Sequence, residues 1–254
     1  MSDTTMTAAP SGFRVGTVFG RAFELLFRDF AKFFGLSAIA RAPYLLLTIL
    51  GVLPTVGFSD AWRAGPGPGI AVLAGTMLSS VLSIICQAII LYGAFQVMRG
   101  QSFAVGESLQ RGLARFFPII GMLFFLGLGI GLASLLFLVP GIILYVMWSV
   151  ALPVCVVERQ GPLASLGRSR ALTKGHRWKI FGILLLIGVV SSLVQVVIAF
   201  ALNALAGPTV MMLGLFLWVA AAVAFSSITV AVIYHDLRVA KEGVDVERIV
   251  AVFD

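Results

Sequence analysis

The sequence predicts an all-α membrane protein: six transmembrane helices in three hairpins, each hairpin preceded by a cytoplasmic amphipathic elbow helix. Three observations predict it. Of the 254 residues, 60% are hydrophobic and 11% charged, against roughly 25% charged in a soluble domain. Uncharged runs reach 42 residues at Phe116–Val157 and 54 at Ile180–Ile233, each about twice the ~20 apolar residues of one helical span. Each run is broken near its middle by a turn signal, Pro140-Gly141 and Gly207-Pro208. So few ionised side chains cannot cover a chain of this length with polar surface, so lipid is its solvent over much of its area.

The elements follow in order. Residues 1–12 are polar and lack a basic residue, which gives a disordered cytoplasmic tail and not a cleavable signal peptide. Phe13–Phe34 comes next. On a helix, Arg14, Arg21, Arg28 and Lys32 fall within roughly 40° of one another, opposite Phe19, Phe23, Leu26, Phe30 and Phe33, with only Asp29 misplaced. Such a face suits a helix lying in the membrane interface. The alternative is the first part of one long tilted span. The membrane domain covers residues 13–243, with spans at 35–57, 69–98, 118–139, 141–157, 180–206 and 209–234. The fourth is the shortest and contains Pro153. After Gly243, Asp245 is placed to cap a short cytoplasmic helix at 244–254, with Val246, Ile249, Val250 and Phe253 on one face.

Basic residues orient the spans. The N-terminal segment, 99–115, 158–179 and the tail after Tyr234 hold 4, 3, 6 and 3 of them, 16 of the 18 in the chain. The three hairpin turns hold one, Arg63, and Arg41 lies within the first span. Both termini are therefore expected in the cytoplasm.

The elbows repeat. "FGR" at Phe19–Arg21 precedes "KFFG" at Lys32–Gly35, and "LGR" at Leu166–Arg168 precedes "KIFG" at Lys179–Gly182 with the same spacing. A weaker copy, "LQRGLARFFPIIG", runs from Leu109 to Gly121. Each copy stands before the first span of a hairpin. In the third, Pro162 suits the first helical position and Gly175 the residue past the end.

Chemistry is sparse. In "YHDLRVAKEG", His235-Asp236 lacks a nucleophile or metal partner in the sequence, and the other histidine, His176, sits among basic residues. The stretch makes sense as a membrane exit: Tyr234 at the interface, Arg238 and Lys241 at the helix end, Gly243 past it. There is no Walker loop, dinucleotide signature or metal-ligand spacing, so no catalytic residue, no metal and no cofactor is expected. Cys86 and Cys155 lie in apolar runs and form no disulfide framework.

"ALPVCVVERQGPLASLGRSRALTKGHRWKIFG" and "YHDLRVAKEGVDVE" resemble segments of the membrane domain found in some glycerophosphodiester phosphodiesterases and in many stand-alone bacterial proteins. The resemblance covers most of the chain and is specific in these two segments. It lies in Pro153, Glu158, Arg168, Ser169, Leu172, Gly175 and Trp178, then Tyr234, Asp236, Leu237, Arg238, Glu242, Gly243 and Asp245. His235 stands where the family pattern expects an aromatic residue. The resemblance implies a six-span bundle in a bacterial inner membrane. It does not carry the enzyme activity over, because the chain has no room for the catalytic barrel.

Two groups of residues are singled out. Glu158, the lone acid among six bases between the fourth and fifth spans, is placed to pair with Arg168 or Arg170. With Ser169, Trp178, Tyr234, Asp236 and Arg238 it forms a candidate cytoplasmic structural cluster. Arg41, Arg14, Arg21 and Arg28 are candidate contacts to lipid or another anion. Arg41 either snorkels to the headgroups or binds an anionic head beside Pro43. Ser79, Ser83 and Gln87, and Ser192, Gln195 and Asn203, are read as interhelical packing, as is Gly127-x-x-x-Gly131. The expected function is non-catalytic binding of membrane lipids, chiefly anionic headgroups, or of a membrane-protein partner, with no nucleic acid. A small-molecule or lipid transporter is the alternative.

Overall fold

The amphipathic first segment forms two helices. The computed structural model describes residues 15–49, 63 and 65–243, and places α1 at Val15–Arg28 and α2 at Phe30–Ile49. They part at Asp29, the one charge off the basic face. Its carbonyl takes the first amide bonds of α2, from Lys32 at 3.0 Å and Phe33 at 3.2 Å. Its carboxylate pairs with Lys32 at 2.8 Å. Phe30–Phe34 therefore opens α2, ahead of the expected start at Gly35. Arg14, the tail 1–12, residues 50–57 of the expected first span, the rest of the first hairpin loop and the expected helix at 244–254 lie outside the described residues.

α3 spans Pro66–Met98, with prolines in its first turn, where a missing N–H is no loss. It runs antiparallel to α2: Arg28 donates to the Val97 carbonyl at 3.5 Å and Lys32 to that of Phe103 at 3.2 Å. Phe103 stacks on Phe33 with centroids 4.8 Å apart, and its ring lies so close to Gly93 that a Cβ there would strike it.

A short helix, α4 at Val105–Ala114, stands where the second elbow is expected and leads into α5 at Phe116–Leu136. The chain then reverses at Phe137, in an extended conformation (φ −154°, ψ 141°), and not at Pro140-Gly141. Proline is tolerated in the first helical turn, so Pro140 falls inside α6, Leu138–Met147. The hairpin closes tightly at Gly141, where a Cβ would strike the Ser134 side chain, and Gly129 lies against the Trp148 ring, which a Cβ there would meet at 2.7 Å. Gly127 and Gly131 face open space, which corrects the packing role expected of them.

The segment expected as the fourth span is broken at 148–150, before α7 at Ala151–Val157. Pro153 explains the break: it has no N–H for the carbonyl of Ser149, and its ring would strike that carbonyl in a continuous helix. Ala151 N–H bonds Trp148 at 3.0 Å. The freed Met147 carbonyl accepts the hydroxyls of Ser169 at 2.9 Å and Thr173 at 3.2 Å. Both come from α8, Pro162–Thr173, the helix expected as the third elbow.

The last element, α9, covers Arg177–Glu242 and is a hairpin of two long arms. It bends at Gly207, whose φ of 81° and ψ of −179° belong to a region open essentially to glycine alone. The arms lie side by side. The Trp218 indole donates to the Ser191 carbonyl at 3.2 Å, and a Cβ on Gly214 would strike Leu202.

No strand occurs among the described residues. Among the described residues, four helical stretches are long and apolar enough to cross a membrane: α3, α5, Leu138–Val157 and α9. Buried side chains concentrate at the end where α1, α4 and α8 gather, around Ile90, Ala94, Phe95, Ile228, Val232 and Tyr234. Toward the other end, apolar residues face outward; Leu135 and Leu205 are each 84% exposed. Ser192, Gln195 and Asn203 also lie exposed on the first arm of α9, which corrects their expected place between helices.

Candidate functional site: a charged collar and a central cavity

Each of α1, α4 and α8 is locked to the second helix of a hairpin through an arginine and an acid, which pair across the contact at α1 and α8 and within the helix itself at α4. The three arginines, Arg21, Arg111 and Arg168, hold equivalent places in the repeat.

The third lock is the most connected. Glu158, just after α7, accepts from Arg168 Nε at 3.0 and 3.3 Å, from the Tyr234 hydroxyl at 2.9 Å and from Gln160 Nε2 at 3.0 Å. Arg168 also pairs with Glu242, which receives Arg238 Nε at 3.0 Å. Arg238 in turn donates to the Tyr234 hydroxyl at 3.4 Å. The Glu158 side chain is 12% exposed and Tyr234 is wholly buried, so this is not a solvated surface network. Burial pushes the Glu242 carboxyl up, but its bonds from Arg168 and Arg238 outweigh that and leave it below its ordinary value. Burial likewise opposes the Arg168 charge, and the two carboxylates reverse that and raise it.

The second lock centres on Gln96, buried near the end of α3. Its amide donates to Glu107 at 2.9 Å and accepts from the Ala104 N–H at 3.0 Å. Glu107 pairs with Arg111 at 2.9 Å, and Arg111 lies over the Tyr92 ring at 5.0 Å. The first lock joins the chain's two ends: Arg21 pairs with Asp236 at 2.9 Å, and Asp236 also faces His235 Nδ1 at 3.2 Å. The buried His235 Nε2 has no hydrogen-bond partner among the described residues.

The structure therefore gathers Glu158, Arg168, Ser169, Tyr234 and Arg238. Asp236 lies with α1 instead, because successive residues of a helix point about 100° apart. Trp178 is 85% exposed, packs edge-on against Phe181 at 6.1 Å and takes no part in the lock. Gln160 and Glu242 also belong to the site; the sequence signals for Glu242 are its i, i+4 spacing from Arg238 and its place in the family pattern. Of the candidate lipid contacts, Arg28 donates to Val97 and Arg21 is held by Asp236. Arg41 is half-buried in α2, and its Nε has no hydrogen-bond partner among the described residues.

Lys241 donates to the Ala171 carbonyl. Burial, then Lys174, Arg177 and Arg168, lower its affinity for a proton, and burial, then Lys179 and Lys241, lower that of His176. Positive charge is thus crowded at this end of the bundle.

Between α3, α5, α6 and the arms of α9 lies a cavity of about 290 Å³. Its wall is mainly apolar, with Gln87, Tyr145, Ser149, Ser226 and Ser227 as polar points. Cys86 and Cys155 are buried free thiols. Among the described residues no three His, Cys, Asp or Glu side chains gather to hold a metal ion. No protein-family model, curated protein or solved structure matches the chain.

Proposed function

We propose that this chain is a six-span protein of a bacterial inner membrane with both termini in the cytoplasm. It is non-catalytic and binds lipids with anionic headgroups, or a membrane-protein partner, in a scaffold or accessory role. The observation that carries this reading is the separation of charge from exposed apolar surface along one bundle. The 21 residues of α5 make a rod of about 31 Å, close to the ~30 Å of a hydrocarbon core. Arg115 stands at one end of it and exposed Phe137 at the other. The three elbows, with arginines beside exposed Phe23, Phe27 and Leu109, suit the headgroup layer on the charged side. The resemblance to the phosphodiesterase membrane domain supports the same arrangement.

Arg41 is the natural lipid contact, since a half-buried guanidinium within a span favours an anionic partner. Lipids kept after gentle detergent extraction test this by mass spectrometry. Wild type should retain anionic lipid and Arg41→Ala should lose it. Equal retention would remove Arg41 from the account.

A second reading, a small-molecule or lipid transporter, is favoured by the central cavity. Flux in proteoliposomes that falls on Gln87→Leu would establish it, and absence of flux would leave the binding role.

A further inference from the structure

Alongside the locks lies a recess of about 330 Å³, lined by Tyr92, Arg111, Ala114, Arg115, Val156 and Arg159. Three of these six residues are arginines and none is acidic, although Glu107 outside the lining pairs with Arg111 at 2.9 Å and accepts from the Tyr92 hydroxyl at 3.3 Å. Glu158, next in sequence to Arg159, turns its carboxylate to Arg168, Tyr234 and Gln160 instead. Arg115 also occupies the N-cap of the long helix α5, with no side chain capping that end, so the positive end of the helix dipole faces the same neighbourhood. Arg115 donates to the carbonyl of Arg159 at 3.3 Å, holding the two arginines together.

Arg159 itself is unusual. Its φ is 53°, the only left-handed non-glycine backbone among the described residues. The chain leaves each hairpin through such a residue. At the other two exits it is glycine: Gly100 with φ 76° and Gly243 with φ 59°. Glycine is the unstrained choice there, yet the middle exit carries an arginine whose side chain lines the recess. Strain kept at a site with a charged side chain points to a function for that side chain.

We infer that this recess is a binding site for a phosphate group, either a lipid headgroup or a free phosphate ester. Guanidinium forks match phosphate oxygens in pairs, and the volume lies at the lower end of ligand pockets, roughly 300–1,000 Å³. The site goes beyond the lipid contact proposed at Arg41. Only its lipid form rests on the bilayer placement, so a failed topology and a failed pocket are told apart.

The test uses the full chain in neutral detergent, with wild type, Arg159→Gly and Arg115→Gln. The probes are inorganic phosphate, glycerol 1-phosphate and dioleoyl phosphatidylglycerol, with dioleoyl phosphatidylcholine as control. Binding is followed by ligand-dependent melting temperature and native mass spectrometry. Saturable binding of the soluble phosphates identifies a free-phosphate site, and saturable binding of phosphatidylglycerol alone identifies a headgroup site. In either case affinity should fall about tenfold to a hundredfold in both variants. Ligand-free Arg159→Gly should melt no lower than wild type, because glycine relieves the backbone. No saturable binding by any probe, or equal binding by wild type and both variants, would overturn the inference. A lower melting temperature of ligand-free Arg159→Gly would also count against it, since the side chain would then be a structural support.

Discussion

Replacing Glu158 with alanine should destabilise the fold by about 3 kcal/mol. The carboxylate accepts four hydrogen bonds from three side chains, one of them the hydroxyl of the fully buried Tyr234. Each bond to a charged group contributes about 1.5–3 kcal/mol, and a buried polar group left unpaired costs about 1–3 kcal/mol. The sum is moderated because Arg168 keeps Glu242 and is 29% exposed. Tyr234→Phe removes one donor and leaves Glu158 its other two, so it should cost about 1 kcal/mol. The pair should therefore be coupled by about 1 kcal/mol in a double-mutant cycle. The assay is equilibrium unfolding of detergent-solubilised protein by titration with sodium dodecyl sulfate. A loss below about 0.5 kcal/mol for Glu158→Ala, the size of a solvated surface pair, would refute the lock, as would additive single and double variants.

Three further outcomes follow from the same geometry. Gly207→Ala should cost about 2 kcal/mol, because φ 81° with ψ −179° is a region alanine avoids; an unchanged unfolding midpoint would mean the hairpin bends elsewhere. Ser169→Ala alone should be mild, since Thr173 still serves the Met147 carbonyl. Adding Thr173→Val strips that carbonyl and should cost about 1–3 kcal/mol more, a non-additivity read from the same titration. Glu242, held below its ordinary carboxyl value, contributes stability that is fully present above the unfolded pKa of about 4.3. That contribution drains as pH falls through its lower folded pKa. Glu242→Gln should flatten the acid limb of the stability curve, and an identical limb would contradict the pairing with Arg168 and Arg238.

What the sequence made legible were local features. The bend at Gly207 was readable because glycine and proline adjoin between two apolar runs. The bend at Phe137 was not: Pro140 drew attention to itself, yet proline fits the first turn of the following helix, and no breaker residue marks the true reversal. The break at 148–150 had its cause on view in Pro153, four residues ahead of the carbonyl it obstructs. Within the site, Glu158 with Arg168 was readable as a lone acid among bases ten residues apart. Arg21 with Asp236 was not, since 215 residues separate them and only the packing of α1 on the last arm brings them together. The left-handed Arg159 was hidden for another reason: its meaning comes from Gly100 and Gly243 at the other two exits, and those equivalences follow from the folded threefold arrangement.

The measurement that bears most directly on the account is compartment labelling of single cysteines in a background with Cys86 and Cys155 replaced by alanine. With both ends tagged as well, one probe site replaces Gln160, at the charged end, and another replaces Thr209, beside the last bend. Both tags and the Gln160→Cys site should report the cytoplasm, and the Thr209→Cys site should report the opposite side. Tags in different compartments, or both cysteines labelled from one side, would contradict a bundle that holds its arginine collar on a single face of the membrane.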